Sequence, residues 1–325
     1  MPQTNHSKVE GAPPMAMRDA LLEKIYRGMR DDNEIFFISA DFGSPVLDKI
    51  RNDFPERFIN VGIAEQNLIN ISSGLALEGF KVFAYAIAPF ITMRCYEQIR
   101  VNLALMMQVR PINVNLIGVG AGYSYVVSGP THQCYEDLTI IGALPNVQIL
   151  SPSDHPTAAS LFSNCVKDHG IRYIRLDAQV LPAIDCDAAG SNGFRIVEDA
   201  GDLAIVATGY CTHSAMKIRL ELEKSDISCS VVDLFDFDAI NRPGLAEYLA
   251  KKSHVISLEE GFEDAGGLDT KIRKLCSNFP DTRFLGLGVS NGYNFELGTR
   301  EELHEAAGIG PVAASNAITN FVRGH

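Results

Sequence analysis

The sequence has 325 residues, 46% hydrophobic and 21% charged, enough to bury the cores of two ordinary domains. Its formal net charge is -12, and no dense run of Lys and Arg interrupts it. That excludes a groove built to replace the counterions of nucleic-acid phosphates. The seven cysteines are scattered without a CxxC pair, which argues against a disulfide framework or a cysteine zinc site and for reduced thiols. Residues 1–14 lack the apolar core of a signal peptide, and no apolar run is long enough to span a bilayer. The chain therefore reads as soluble and cytoplasmic.

In chain order, residues 1–14 read as a flexible tail. Residues 15–29 have helical spacing, with Met17, Leu21, Leu22 and Ile25 on one side. Strands are expected at 35–40, 58–61, 81–88, 111–117, 147–150 and 172–176, with helices at 64–77, 90–107 and 155–166 between them. Strands apolar on both faces that alternate with helices imply a parallel sheet covered on both sides. Residues 181–192, rich in Ala, Gly, Asp and Ser, read as a linker. A second series follows, with strands at 203–208, 229–234, 254–258 and 283–288 and helices at 214–222 and 268–276. Thr299 before Glu301 and Glu302 is a suitable N-cap for a last helix. The expected fold class is α/β, two parallel or mostly parallel sandwich domains divided near residue 190.

The most informative stretch is Phe58-Ile59-Asn60-Val61-Gly62-Ile63-Ala64-Glu65-Gln66-Asn67. A strand ends, Gly62 turns the chain, and Glu65 enters the first turn of an apolar helix. On local physics alone, Glu65 could simply complement the helix dipole. The wider pattern adds a second reading. Gly62-Ile63-Ala64-Glu65-Gln66 is followed by Gly74-Leu75-Ala76 and Glu78-Gly79, and preceded by Met17-Arg18-Asp19-Ala20. Gly129-Pro130-Thr131-His132-Gln133, Ser151-Pro152-Ser153-Asp154 and Arg175 come next, then Gly201 to Gly209, Leu258-Glu259-Glu260 and Gly266-Gly267-Leu268. This ordered set resembles the pyrimidine-binding and C-terminal domains of transketolases, and of the related 1-deoxyxylulose-5-phosphate synthases.

The resemblance implies a pyrimidine-binding domain over 15–185, a linker over 186–194 and a transketolase C-terminal domain over 195–325. It also implies thiamine diphosphate as cofactor. In that family the matching glutamate hydrogen-bonds a ring nitrogen of the cofactor's aminopyrimidine, and the cofactor is the electron sink for carbon–carbon cleavage. Glu65 is the implied catalytic residue. Phe90 is the implied ring that packs on the pyrimidine, with Tyr85 and Arg94 as further cofactor candidates; the alternative for Phe90 is a core aromatic. His132 would face the donor carbonyl, as a catalytic and substrate-binding group suited to moving a proton. Arg175 would meet a sugar phosphate through paired hydrogen bonds, or else form a surface or interface ion pair.

Two departures from full-length transketolases stand out. The loop from Gly120 to Ser128 is longer, aromatic and without acidic residues, and Asn113, Val114 and Asn115 stand where a histidine is expected. The pentose-phosphate substrate pattern is therefore not reproduced, although the longer loop resembles split transketolases. The second departure is an omission. A Gly-Asp-Gly motif with a distal Asn normally holds the divalent metal on the diphosphate, and Gly201-Asp202-Leu203 is not that motif. No metal site is expected on this chain; Mg2+ or a similar divalent cation and the diphosphate would be held by an N-terminal-half partner chain, in a heterotetramer. The expected function is ketol transfer from a ketose or its phosphate to an aldehyde, active only with that partner. The alternatives are the beta chain of a 2-oxo acid dehydrogenase, a 1-deoxyxylulose-5-phosphate synthase-like enzyme, or a non-catalytic subunit.

Overall fold

A computed structural model describes residues 15–184, 192–290 and 292–324. The expectations for the tail at 1–14 and for most of the linker fall outside those residues, as does Cys186. The first sheet has six strands: β1 (Ile35–Ser39), β2 (Phe58–Asn60), β3 (Lys81–Ile87), β4 (Asn113–Val119), β5 (Val147–Leu150) and β6 (Gly170–Leu176). They are ordered β2-β1-β3-β4-β6-β5, and every pairing is parallel. An all-parallel sheet must be covered on both faces. One face buries Phe37, Phe83, Tyr85 and Ile117 against Met17, Leu21 and Ile25 of helix Met17–Asp31 and Leu161 of helix His155–Lys167. The opposite face buries Ala84, Ala86, Val114 and Leu116 against helix Glu65–Leu77 and the helical segment 90–108.

The sequence spacing predicts a regular helix for that last segment. It instead contains two stretches of wide π turns, Phe90–Arg94 and Ile99–Leu105, around a short α turn at Tyr96–Gln98. Such turns shift which side chains face the sheet and recur at functional sites.

The second sheet contains β7 (Phe194–Glu198), β8 (Leu203–Ala207), β9 (Cys229–Leu234), β10 (His254–Phe262) and β11 (Arg283–Val289), in the order β11-β10-β8-β9-β7. Four strands are parallel, and β7 runs antiparallel on the edge beside β9. Thr299 caps helix Arg300–Ala306 through a capping box with Glu302, and a separate helix, Pro311–Arg323, follows. The two sheets are joined by buried polar contacts. The Ser151 N–H donates to the Phe235 carbonyl at 2.8 Å, Arg195 bonds both Asp154 and Asp233 at 2.9 Å, and Arg300 links Glu260 to Asp177.

Candidate active site

In the first sheet the chain moves one way from β1 to β2 and the other way from β3 to β4. The strand order therefore reverses between β1 and β3. Ligands of open α/β sheets sit outside the carboxyl ends of the strands at such a reversal. Three of the residues singled out in the sequence emerge from these ends: Glu65 after β2, Phe90 after β3 and His132 after β4.

Gly62, with φ of +72°, makes the turn that Cβ-bearing residues adopt only with strain, and Glu65 then opens its helix. The Glu65 side chain is only 6% exposed. Its Oε1 accepts a hydrogen bond from Arg94 Nη1 at 3.0 Å. The Arg94 guanidinium carbon stands 3.8 Å from the centre of the Phe90 ring, so one cation bridges the carboxylate and the aromatic face. The Phe90 ring meets the His132 ring edge-on, with centroids 5.4 Å apart. His132 Nδ1 is 2.9 Å from Thr131 Oγ1, and the Tyr125 ring lies 6.5 Å away on another side. Glu65, Arg94, Phe90 and His132 thus form one continuous strip.

Tyr85 lies apart from this strip. It is fully buried on the other face of β3, beside Phe37 and Phe42, and burial pushes its phenol above the ordinary range. Arg175 also lies apart. It is 3% exposed, and its Nε donates to Asp137 Oδ2 at 2.7 Å, where the Tyr173 hydroxyl also donates at 2.8 Å. Its Nη2 is buried and has no hydrogen-bond partner among the described residues. Within the first domain it forms a buried ion pair, while the expected phosphate contact would need a ligand to reach this position.

The sequence did not single out Tyr125. Gly120, at φ of +94°, lets the aromatic ring fold onto the backbone: a Cβ there would lie 1.9 Å from Tyr125 Cε2. Tyr123 of the same loop is buried against Tyr135 and His304, which ties the loop to the second sheet. The paired Gly120 and Gly122 were the available signal, since both have positive φ and both abut a side chain. Among the described residues, no group of three or more His, Cys, Asp and Glu side chains is arranged to hold a metal ion. Likewise, no helix among them is long and apolar enough to cross a membrane.

The fold and this strip define a class: a two-domain α/β protein with a polar and aromatic strip at the carboxyl ends of an all-parallel sheet. Residues 13–183 match the transketolase pyrimidine-binding domain and residues 193–313 the transketolase C-terminal domain. The chain belongs to the transketolase family. It is 28% identical to a putative transketolase C-terminal section of Methanocaldococcus jannaschii, over 89% of this chain and 94% of that protein. It is 27% identical to one of the subunits of the apulose-4-phosphate transketolase of Phocaeicola vulgatus, over 85% and 89% of the two chains. Among solved structures, a split-gene transketolase in the form of an inactive beta4 tetramer superposes with a TM-score of 0.81 and 26% identity. That match covers 94% of this chain and 98% of the other.

Proposed function

We propose that this chain is one subunit of a split transketolase-type enzyme. The enzyme transfers a two-carbon ketol unit from a ketose or ketose phosphate to an aldehyde, with thiamine diphosphate, and works only with a diphosphate-binding partner. The observation that carries the reading is the strip of Glu65, Phe90 and His132 at the carboxyl ends of β2, β3 and β4. Its donor set suits an aminopyrimidine, since a nearly buried carboxylate stands beside an aromatic face. Subunits of split transketolases among the relatives support the division of labour.

When bound, the cofactor supplies the electron sink for carbon–carbon cleavage. This chain's residues do the rest on their side. Glu65 Oε1 would share a proton with a ring nitrogen, a sharing favoured once a covering partner has excluded water. Phe90 orients the ring by stacking. His132, held between Thr131, Phe90 and Tyr125, moves a proton at the substrate oxygen. Arg175 enters as support: through Asp137 it fixes the helix that follows the His132 loop. The domain limits at 15–185 and 195–325, the divalent cation on the partner, the cytoplasmic setting and the heterotetramer belong to this proposal.

Glu65→Gln tests it. The amide keeps size and hydrogen bonding but holds no acidic proton, so turnover should fall about 100- to 10,000-fold. The reporting measurement is deuterium exchange at the cofactor's reactive ring carbon in the assembled two-chain complex. Exchange at the wild-type rate in an intact complex would leave Glu65 as a dipole complement and sink the reading.

A further inference from the structure

Arg94 makes two contacts at once, to the carboxylate of Glu65 at 3.0 Å and to the face of Phe90 at 3.8 Å. These are the two contacts that a flat nitrogen heterocycle would use in the reading above, an edge hydrogen bond to Glu65 and a stack on Phe90. A guanidinium can imitate such a ring because it too is planar, delocalised and edged with N–H donors. The two cannot share the place, since the space at stacking distance from one ring face holds a single planar layer.

The surroundings of Arg94 suit a side chain that leaves. Its backbone is anchored, because Gln66 Nε2 donates to the Arg94 carbonyl at 3.2 Å and the residue closes the π turn Phe90–Arg94. Its side chain is 48% exposed and has solvent to swing into. Glu65, by contrast, is nearly buried, and a buried carboxylate without a counter-charge or hydrogen bond is costly.

We propose that Arg94 is a placeholder. It fills the pyrimidine slot and neutralises Glu65 in the cofactor-free subunit, and the arriving cofactor displaces it. The inference rests on the site reading above and opposes the direct cofactor contact expected for Arg94, because the two predict opposite signs. A slot that is filled most of the time lowers apparent affinity by the fraction of time it is open.

The test is calorimetric titration of thiamine diphosphate into the chain assembled with its diphosphate-binding partner. Arg94→Met keeps an aliphatic stem over Phe90 but removes the cation. It should bind the cofactor about three- to tenfold more tightly, from one exposed cation–π contact and one partly exposed ion pair. Arg94→Lys keeps the charge without the flat stack and should fall between. In the cofactor-free chain, Arg94→Met should lower the melting temperature, and Glu65→Gln added to it should restore stability. Unchanged or weaker binding by Arg94→Met overturns the placeholder. Failure of the wild-type assembly to bind thiamine diphosphate, with the thermal coupling of Arg94 and Glu65 intact, overturns the site reading on which it rests.

Discussion

Glu259 offers a direct test of how the second domain is packed. It lies in the middle of β10 and is completely buried. Its Oε1 accepts the Asp269 N–H at 2.9 Å, whereas its Oε2 has no partner. A Cβ on Gly261 would lie 2.7 Å from that oxygen, and one on Gly267 2.5 Å, so glycine backbone encloses the carboxyl. Burial pushes its pKa up from 4.5 to about 7, against the opposing backbone N–H bonds. Between those two values the folded chain holds a proton that the unfolded chain has released. Stability therefore falls as pH rises through that window, and the penalty is complete above pH 7. The window from 4.5 to about 7, at ~1.36 kcal/mol per pH unit, gives about 3 kcal/mol. Glu259→Gln stays neutral at all pH and keeps an oxygen for the Asp269 N–H. Urea unfolding at pH 5 and pH 8 should show the stability difference moving in the variant's favour by most of that amount. Parallel stability profiles for the two proteins would refute this reasoning.

Two further substitutions probe the rest of the molecule. Arg300 is buried and bonds Glu260 at 2.7 and 2.6 Å and Asp177 at 2.6 Å, so Arg300→Met should lose roughly 3–5 kcal/mol at pH 7 in urea unfolding. Burial opposes the charge on Glu260, but Arg300 and His304 overcome it and hold the carboxyl far below its usual range; that stabilisation is present above about pH 4.5 and is lost on acidification, so the deficit should shrink at lower pH. At the site, His132→Asn should lower turnover about 100-fold or more with little change in cofactor affinity. Arg175→Met should instead lower stability and affect phosphorylated and unphosphorylated substrates alike, and an effect confined to phosphorylated ones would restore the phosphate contact.

Much of the fold was legible because parallel strands buried on both faces leave unbroken apolar runs. Val147–Leu150 and Cys229–Leu234 begin and end where the sequence put them. Other elements carry weaker signals. Helix Pro45–Asp53 has a Ser44 cap and a first-turn proline, but only Leu47 and Ile50 face the core, too few for a visible stripe. Strand β7 lies on an edge beside a Gly- and Ser-rich stretch, and only Arg195 of its residues is buried, so it lacks the apolar run of the inner strands. One last helix is expected from the Thr299 cap; Gly308, at φ of +78°, divides that region into two. At the site, Glu65, Phe90 and His132 were singled out through the resemblance of the motifs around them, because local physics alone leaves a helix-dipole complement and a core aromatic equally available. The bridge made by Arg94 was not, because it depends on segments 29 residues apart meeting at one carboxylate. The buried state of Arg175 was equally hidden, since its partner Asp137 comes from a different element.

The same geometry gives a physical reason for the proposed dependence on a partner, beyond the missing metal motif. Proton sharing between Glu65 and a ring nitrogen needs a low local dielectric, because water would solvate the carboxylate and weaken every charge interaction there. On this chain the approaches to the strip are open. Ile63, two residues before Glu65, is 75% exposed, and Val127, in the loop leading to His132, is 86% exposed. Met93, beside Arg94, is also exposed. Exposed apolar residues placed around a functional strip suit a covering surface that excludes water while contributing apolar burial of its own. A partner seated there would therefore dry the carboxylate as well as bring the diphosphate side. Arg94 then has a consistent role in both states. It supplies Glu65 with a counter-charge while the strip is wet, and it can leave once a ring and a covering surface replace water.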